Sequence, residues 1–177
     1  MTTTSPLTLL EDSFQQLTTV LARLSADDWT REQNGKWTLA QETAHILKAN
    51  QQTALLLSPA GRALWRSNTR PSLASEAIRD AYKTALAANP GVVNTATAPA
   101  EDAVQKTPAE QLAAWKETGE ALSHHVAALS EEDLDGFTVW KHPLLGPLTA
   151  REMIYFTGHH TQHHAVSMLR KLGEVRL

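Results

Sequence analysis

Cysteine is absent from this chain of 177 residues. Without a thiol there is no disulfide framework, no thiolate zinc knuckle, no iron–sulfur cluster and no cysteine nucleophile, so any metal chemistry rests on nitrogen and oxygen ligands. Long apolar runs are missing too, and a stretch such as Ala54–Leu57 is far too short to span a bilayer. Neither sign of charge dominates: 16 Lys plus Arg stand against 19 Asp plus Glu, for a net charge of -3. The basic residues are scattered rather than clustered, which argues against a nucleic-acid or anionic-membrane footprint. Met1–Pro6 has neither a basic nor an apolar region and does not read as a secretory signal, so a soluble, cytoplasmic protein is expected. The five tryptophans read as core and rim packing rather than a stacking platform for bases.

What is present is ordinary for a globular chain except in one respect. With 42% hydrophobic and 20% charged residues, residues 1–177 read as one domain with a real core. Against the missing cysteines stand 8 histidines, four of them between His159 and His164.

Apolar residues recur at helical steps. Leu9, Leu10, Phe14, Leu17, Val20, Leu21 and Leu24 predict a first helix over Thr8–Leu24. Ser25–Trp29 reads as a turn with capping residues, and Asn34-Gly35 as another. Thr38, with Gln41 three residues on, predicts the capped start of a second helix that runs to about Leu57 and stops before Ser58-Pro59. Arg62–Ser75 reads as loop, Glu76–Asn89 as an extra helix, and residues 92–106 as a long crossover without a clear period. Thr107-Pro108 starts a third long helix reaching about Leu129. Asp133–Pro147 reads as loop with a locally extended Phe137–Trp140, before a last helix from near Thr149 to Leu172, stopped by Gly173. Strand-type alternation is otherwise nearly absent. The expected fold is all-α: a four-helix bundle whose long crossover between the second and third long helices carries an additional helix.

In such a bundle, metal sites are built from inward side chains of facing helices. The last helix carries two histidine stripes at four-residue spacing, His159 with His163 and His160 with His164. Projected at about 100° per residue, the first stripe shares its arc with Glu152 and Arg170 and is expected to face solvent; the second lies beside Met153 and Met168 and is expected inside. Two ligands seldom make a specific site, and His45 in the second long helix is the candidate third: its stripe of Gln41, Ala49, Gln52 and Leu56 suits the wall of a polar cleft. Each residue also has a plainer reading. His45 alone reads as a core histidine with a hydrogen-bonded ring, and an i,i+4 pair arises by chance on exposed helices. Glu42, one turn before His45, reads first as a solvated helix-face carboxylate, with ring orientation as its other reading. His124-His125 reads as surface or outer contributor and His142 as structural.

These segments resemble the DinB-like superfamily. Trp37-Thr38-Leu39-Ala40-Gln41-Glu42-Thr43-Ala44-His45 is similar to the start of that family's second helix, where a Trp is followed eight residues later by a metal-binding His. His160-Thr161-Gln162-His163-His164 and the following residues to Gly173 resemble its final helix, and Pro143–Thr149 resembles the loop before it. The resemblance spans both ends of the chain and is weakest between Ala60 and Lys106. It implies a metal-dependent enzyme on a four-helix bundle, often dimeric, with His45, His160 and His164 as the metal ligands. Some members of the family are S-transferases using a low-molecular-weight thiol such as bacillithiol or mycothiol, and one branch isomerises maleylpyruvate with mycothiol. The family name records induction after DNA damage and implies no DNA binding. Where many relatives have Gly-Gln after the His pair, this chain has Val166-Ser167, so pocket details do not carry over.

The functional expectation is therefore an enzyme acting on a small molecule, with a divalent ion on three imidazoles activating water for hydrolysis or a thiol for transfer. Zinc fits best, with nickel, manganese and iron as alternatives set by availability. The other expectation is a non-catalytic bundle in which the histidines serve structure or sensing. No HExxH motif supports a zincin-type peptidase, no general base is assignable, and five Trp on amphipathic helices are compatible with a homodimer.

Overall fold

Four long helices carry the apolar periodicity: α1 (Pro6–Leu21), α3 (Leu39–Leu57), α6 (Pro108–Ala127) and α8 (Ala150–Lys171). Numbered with them in chain order are the short helices α2 (Ala26–Thr30), α4 (Pro59–Arg62) and α7 (Glu131–Asp135), and α5 (Ser75–Ala88) of intermediate length. The computed structural model describes residues 5–31, 36–92 and 94–174; the expected turn at Asn34-Gly35 and the start of the N-terminal segment lie outside them. No helix among these residues is long and apolar enough to cross a membrane.

The caps explain where the helices begin. Thr38, Thr107 and Thr149 each accept a bond from the backbone N–H three residues on, while Gln41, Glu110 and Glu152 reach back to the capping residue's own N–H. Such reciprocal caps satisfy two donors that a helix start leaves without partners. The first helix ends earlier than its apolar pattern, at Leu21, because Ser25 caps α2 with Asp28 and the intervening chain must turn. Ser25–Trp29, expected as a turn, thus becomes a single helical turn, and α7 forms in the same way on Ser130 and Asp133, running into the start of the loop expected from Asp133.

Around the core, α1 packs on α8 and α6, and α3 packs on the same two helices. The first two long helices of the chain therefore sit at opposite corners of the bundle. The long crossover returns from α3 to α6, laying α5 against α8 and a 3-10 turn (Glu101–Gln105) against α3. This is the expected crossover with its additional helix. Leu10, Leu17, Ile46, Trp115, Leu122, Ile154 and Met168 are fully buried between the helices, each large side chain contributing about 1.5–3 kcal/mol by leaving water. Trp115 stacks on Phe14 with ring centroids 4.1 Å apart. At the α1–α8 contact, a Cβ on Gly158 would lie 2.8 Å from Leu9 Cγ, so the absence of a side chain there sets how closely these helices approach.

One feature departs from the all-helical expectation. Arg66–Ser67 (β1), Phe137–His142 (β2) and Gly146–Thr149 (β3) form a small antiparallel sheet in the order β1-β2-β3. The extended stretch expected at Phe137–Trp140 is its middle strand. The outer strands were hidden because β1 has only two residues and β3 is four residues long and contains Pro147, too short for an alternation to register. Gly146, at φ +74°, makes the tight turn that β2 and β3 share.

Glu152 is a second correction. Expected to face solvent, it is fully buried at 0% exposure. Its carboxylate accepts two bonds from the Arg70 guanidinium, both at 2.6 Å, and others from the backbone N–H of Leu73 (2.7 Å) and Thr149 (2.9 Å). This node ties the start of α8 to the segment before α5. Burial pushes the carboxyl upward, but the bonds from Arg70, Leu73 and Thr149 outweigh it and hold the group below its ordinary value of 4.5. A group depressed in this way contributes stability above its unfolded pKa and loses that contribution as pH falls through the folded one. Glu152→Gln is therefore expected to destabilise the fold by about 2 kcal/mol or more at pH 7. In denaturant titrations the gap between variant and wild type should narrow as pH drops below about 4.5.

Candidate functional site

The α3–α8 contact brings three histidines together. His45 comes from α3, and His160 and His164 lie one turn apart on α8, all buried at 7–8% exposure. Nε2 of His160 lies 3.4 Å from Nε2 of His45 and 3.1 Å from Nε2 of His164. One ligand atom from each ring lies within 4.8 Å of the others.

The outward nitrogens are held by acceptors. His45 Nδ1 lies 2.9 Å from the backbone oxygen of Thr97, in the crossover, and His164 Nδ1 lies 2.8 Å from Glu42 Oε1. A carbonyl and a carboxylate can only accept, so a neutral ring at either position keeps its proton on Nδ1 and turns the Nε2 lone pair toward the centre. Burial, then the neighbouring His164, pushes His45 down to about 4; burial, then His164 and His45, pushes His160 well below its ordinary value. Both rings are neutral at pH 7.

Glu42 is not solvated as expected. It is 2% exposed, and the ring it holds is His164 rather than His45. Its second oxygen pairs with Lys171 Nζ, which also donates to the Trp37 carbonyl at 2.8 Å. Burial alone would raise this carboxyl, but His164 and Lys171 together hold it down at about 2. The pairing was legible in part: Glu42 shares the His45 stripe three residues away, and Lys171 follows His164 by seven, two turns along the same face. Thr97 and Tyr82 carried no such signal, because they reach the site through the irregular crossover and α5.

The remaining histidines divide differently from the expectation. His159 does not decorate a solvated face; it is half-buried and its Nε2 lies 2.9 Å from Ser75 Oγ, tying α8 to α5. His163 is exposed as expected, but it lines the cavity beside His164. His142, at the end of β2, has the expected structural role: its Nδ1 accepts from the backbone N–H of Leu144 (3.1 Å) and Leu145 (3.2 Å). His124 is exposed on α6.

Beside the three rings opens a cavity of about 910 Å³, within the range of small-molecule sites. Its walls are mostly apolar, from Trp37, Leu56, Tyr82, Leu86, Trp140 and Phe156, and the crossover closes one side with Gly91, Val92 and residues 94–97. Two of the five tryptophans thus line a cavity rather than the core alone.

The sequence profile of the DinB superfamily matches residues 9–168, from the start of α1 to the last turns of α8. The chain belongs to the DinB superfamily. In fold it is similar to YfiT from Bacillus subtilis, described as "a probable metal-dependent hydrolase with an unusual four-helix bundle topology". That likeness has a TM-score of 0.63 at 15% identity and covers 96% of this chain and 87% of YfiT, so it establishes shared architecture. No curated protein sequence matches this member of the superfamily.

The hydrogen-bond pattern makes a direct prediction for metal-free protein. At pH 7 a long-range ¹H–¹⁵N correlation spectrum should show His45 as the neutral Nδ1–H tautomer, and an Nε2–H signal for that ring would contradict the Thr97 contact.

Proposed function

We propose that this chain is a divalent-metal-dependent enzyme acting on a small molecule with an apolar body, and that His45, His160 and His164 hold the ion. The observation carrying this reading is the convergence of three Nε2 atoms, with two of the rings, His45 and His164, oriented from behind by acceptors. His160 has at most one Nε2–H to share between two facing lone pairs, so protons alone leave the cluster under-satisfied, whereas a cation accepts all three. The fit is also metric. Three nitrogens bound at about 2.05 Å in a tetrahedral arrangement lie about 3.3 Å apart, and two of the separations here are 3.1 and 3.4 Å. A donor set of three imidazoles suits zinc first, with nickel and iron next and manganese least favoured for want of oxygen donors.

When bound, such an ion supplies Lewis-acid chemistry, making a water or a thiol nucleophilic near neutral pH. The chain's own residues do the rest. Glu42 orients His164 and is itself held by Lys171, which keeps the ring correctly turned. The Thr97 carbonyl does the same for His45. Trp37, Tyr82, Trp140 and Phe156 offer a dry wall for an apolar substrate body. Hydrolysis and transfer of a low-molecular-weight thiol are both within this chemistry. With no cysteine in the chain, a participating thiol arrives as cofactor or substrate. A purely structural ion is usually enclosed by four protein ligands; three nitrogens opening on a cavity favour catalysis.

Elemental analysis of purified protein should find close to one divalent ion per chain, and His160→Ala should abolish that stoichiometry. Protein without metal in wild type, or unchanged metal content in the variant, would sink the assignment. Turnover in a screen of ester hydrolysis and thiol conjugation should be lost on chelation and return with metal, while circular dichroism shows the helices intact.

Glu42→Gln gives a finer expectation. It keeps the shape but weakens the acceptor on His164, so metal affinity should fall about 10- to 100-fold in competition with a chromogenic chelator. A loss below twofold would mean that the carboxylate serves only the α3–α8 contact.

A further inference from the structure

His142 satisfies the β2–β3 turn with only one edge of its ring. Its Nδ1 accepts from two backbone amides, Leu144 N–H at 3.1 Å and Leu145 N–H at 3.2 Å. An imidazole nitrogen that accepts carries no proton, so the neutral ring must carry it on Nε2. The ring is also fixed in position: it packs edge-on to Trp140 at 5.1 Å and to Phe156 at 4.4 Å between centroids. Burial pushes its pKa down to about 4, so the ring stays neutral at pH 7.

The other edge has nothing to bond. Nε2 has no hydrogen-bond partner among the described residues, yet it is not among the sealed side-chain atoms left without one, so it is reachable from open space. His142 lines the same cavity as the three-histidine cluster, which makes that cavity the open space available to its free edge. Phe156 bridges the two, touching His142 on one side and stacking on His160 at 5.3 Å on the other. A donor of fixed direction therefore stands in a largely apolar wall, one ring's width from the reacting centre. In the open cavity water can accept from such a group, so a bound molecule that displaces the water without offering an acceptor leaves the N–H unpaired at a cost, and one that offers an acceptor avoids it.

We propose that His142 is a specificity residue that donates its Nε2–H to an acceptor oxygen, of the carbonyl or ester type, on a substrate with an apolar body. This deepens the reading above, because the acceptor belongs to the substrate of the same cavity. The donor itself is independent of any metal. It selects against molecules of the same shape that lack the oxygen, since these would bury the N–H unpaired.

The test uses metal-free full-length protein and a matched pair of probes, acetophenone and α-methylstyrene, which differ in having C=O or C=CH₂. Wild type should show His142 as the Nε2–H tautomer, bind acetophenone about 3- to 10-fold more tightly than α-methylstyrene, and shift the Nε2–H resonance with acetophenone only. His142→Asn keeps an acceptor that can bond the backbone N–H two residues on and so preserves the turn, while its own amide N–H₂ branches from Cγ and ends short of the position that Nε2 occupies, withdrawing the donor from the cavity. It should retain the wild-type melting temperature within a few degrees and bind the two probes equally. His142→Ala, which loses both edges, should melt lower than His142→Asn. An Nδ1–H tautomer, no preference between the probes in wild type, or a preference that His142→Asn retains would each overturn the proposal. None of these outcomes depends on metal content or turnover, so failure here is distinguishable from failure of the metal reading.

Discussion

A carboxylate buried between two helices organises this protein. Glu42 on α3 faces His164 and Lys171 on α8, and all three lie where the bundle would otherwise be closed by apolar side chains. An ionised carboxylate in such a place is costly unless it is fully paired. Both of its oxygens are paired, one by a ring and one by an ammonium group. The arrangement sets how α3 sits along α8, because a shift of either helix by a fraction of a turn would separate the pairs. It also fixes where the histidines meet. The polar seam contributes specificity of register, while the apolar core formed with α1 and α6 contributes most of the stability.

The bundle's connectivity makes that seam possible. Since α1 and α3 occupy opposite corners, the chain does not use its first turn to pair neighbouring helices. The seam forms between segments more than a hundred residues apart, and the crossover must travel round the outside to reach α6. On the way it places α5 on α8 and residues 94–97 beside the histidines, so one connection becomes two walls of the cavity. Loop closure of this length adds little unfavourable entropy beyond that of a shorter loop, since the cost grows only logarithmically. Glu152 and Arg70 then anchor the near end of the crossover to the start of α8.

How much of this could be read from the chain follows from the range of each interaction. The four long helices were legible because their causes are local: Thr38 with Gln41, Thr107 with Pro108 and Glu110, and apolar side chains at three- and four-residue steps. His160 and His164 could be told from His159 and His163 by the face they share with Met153 and Met168. The same projection failed at Glu152, because a helical wheel reads charge as exposure and cannot see Arg70, 82 residues earlier. It failed for Glu42 for the same reason. The outer strands of the sheet were too short to carry a period. Family resemblance pointed to the same three histidines as the wheel, but neither showed that a backbone carbonyl and a buried carboxylate stand behind two of them.

The Thr97 contact separates two properties that enzymes usually have to alter together. The atom orienting His45 is a carbonyl of the main chain, which every amino acid possesses. Side chains at positions 91, 92 and 94–97 can therefore change in size and polarity, and with them the shape of the cavity, without removing the acceptor behind the ring. Only a change in the path of the backbone would disturb it. Under the proposed function, a fold built in this way can drift toward new substrates by ordinary point substitution while the orientation of its histidines is inherited intact.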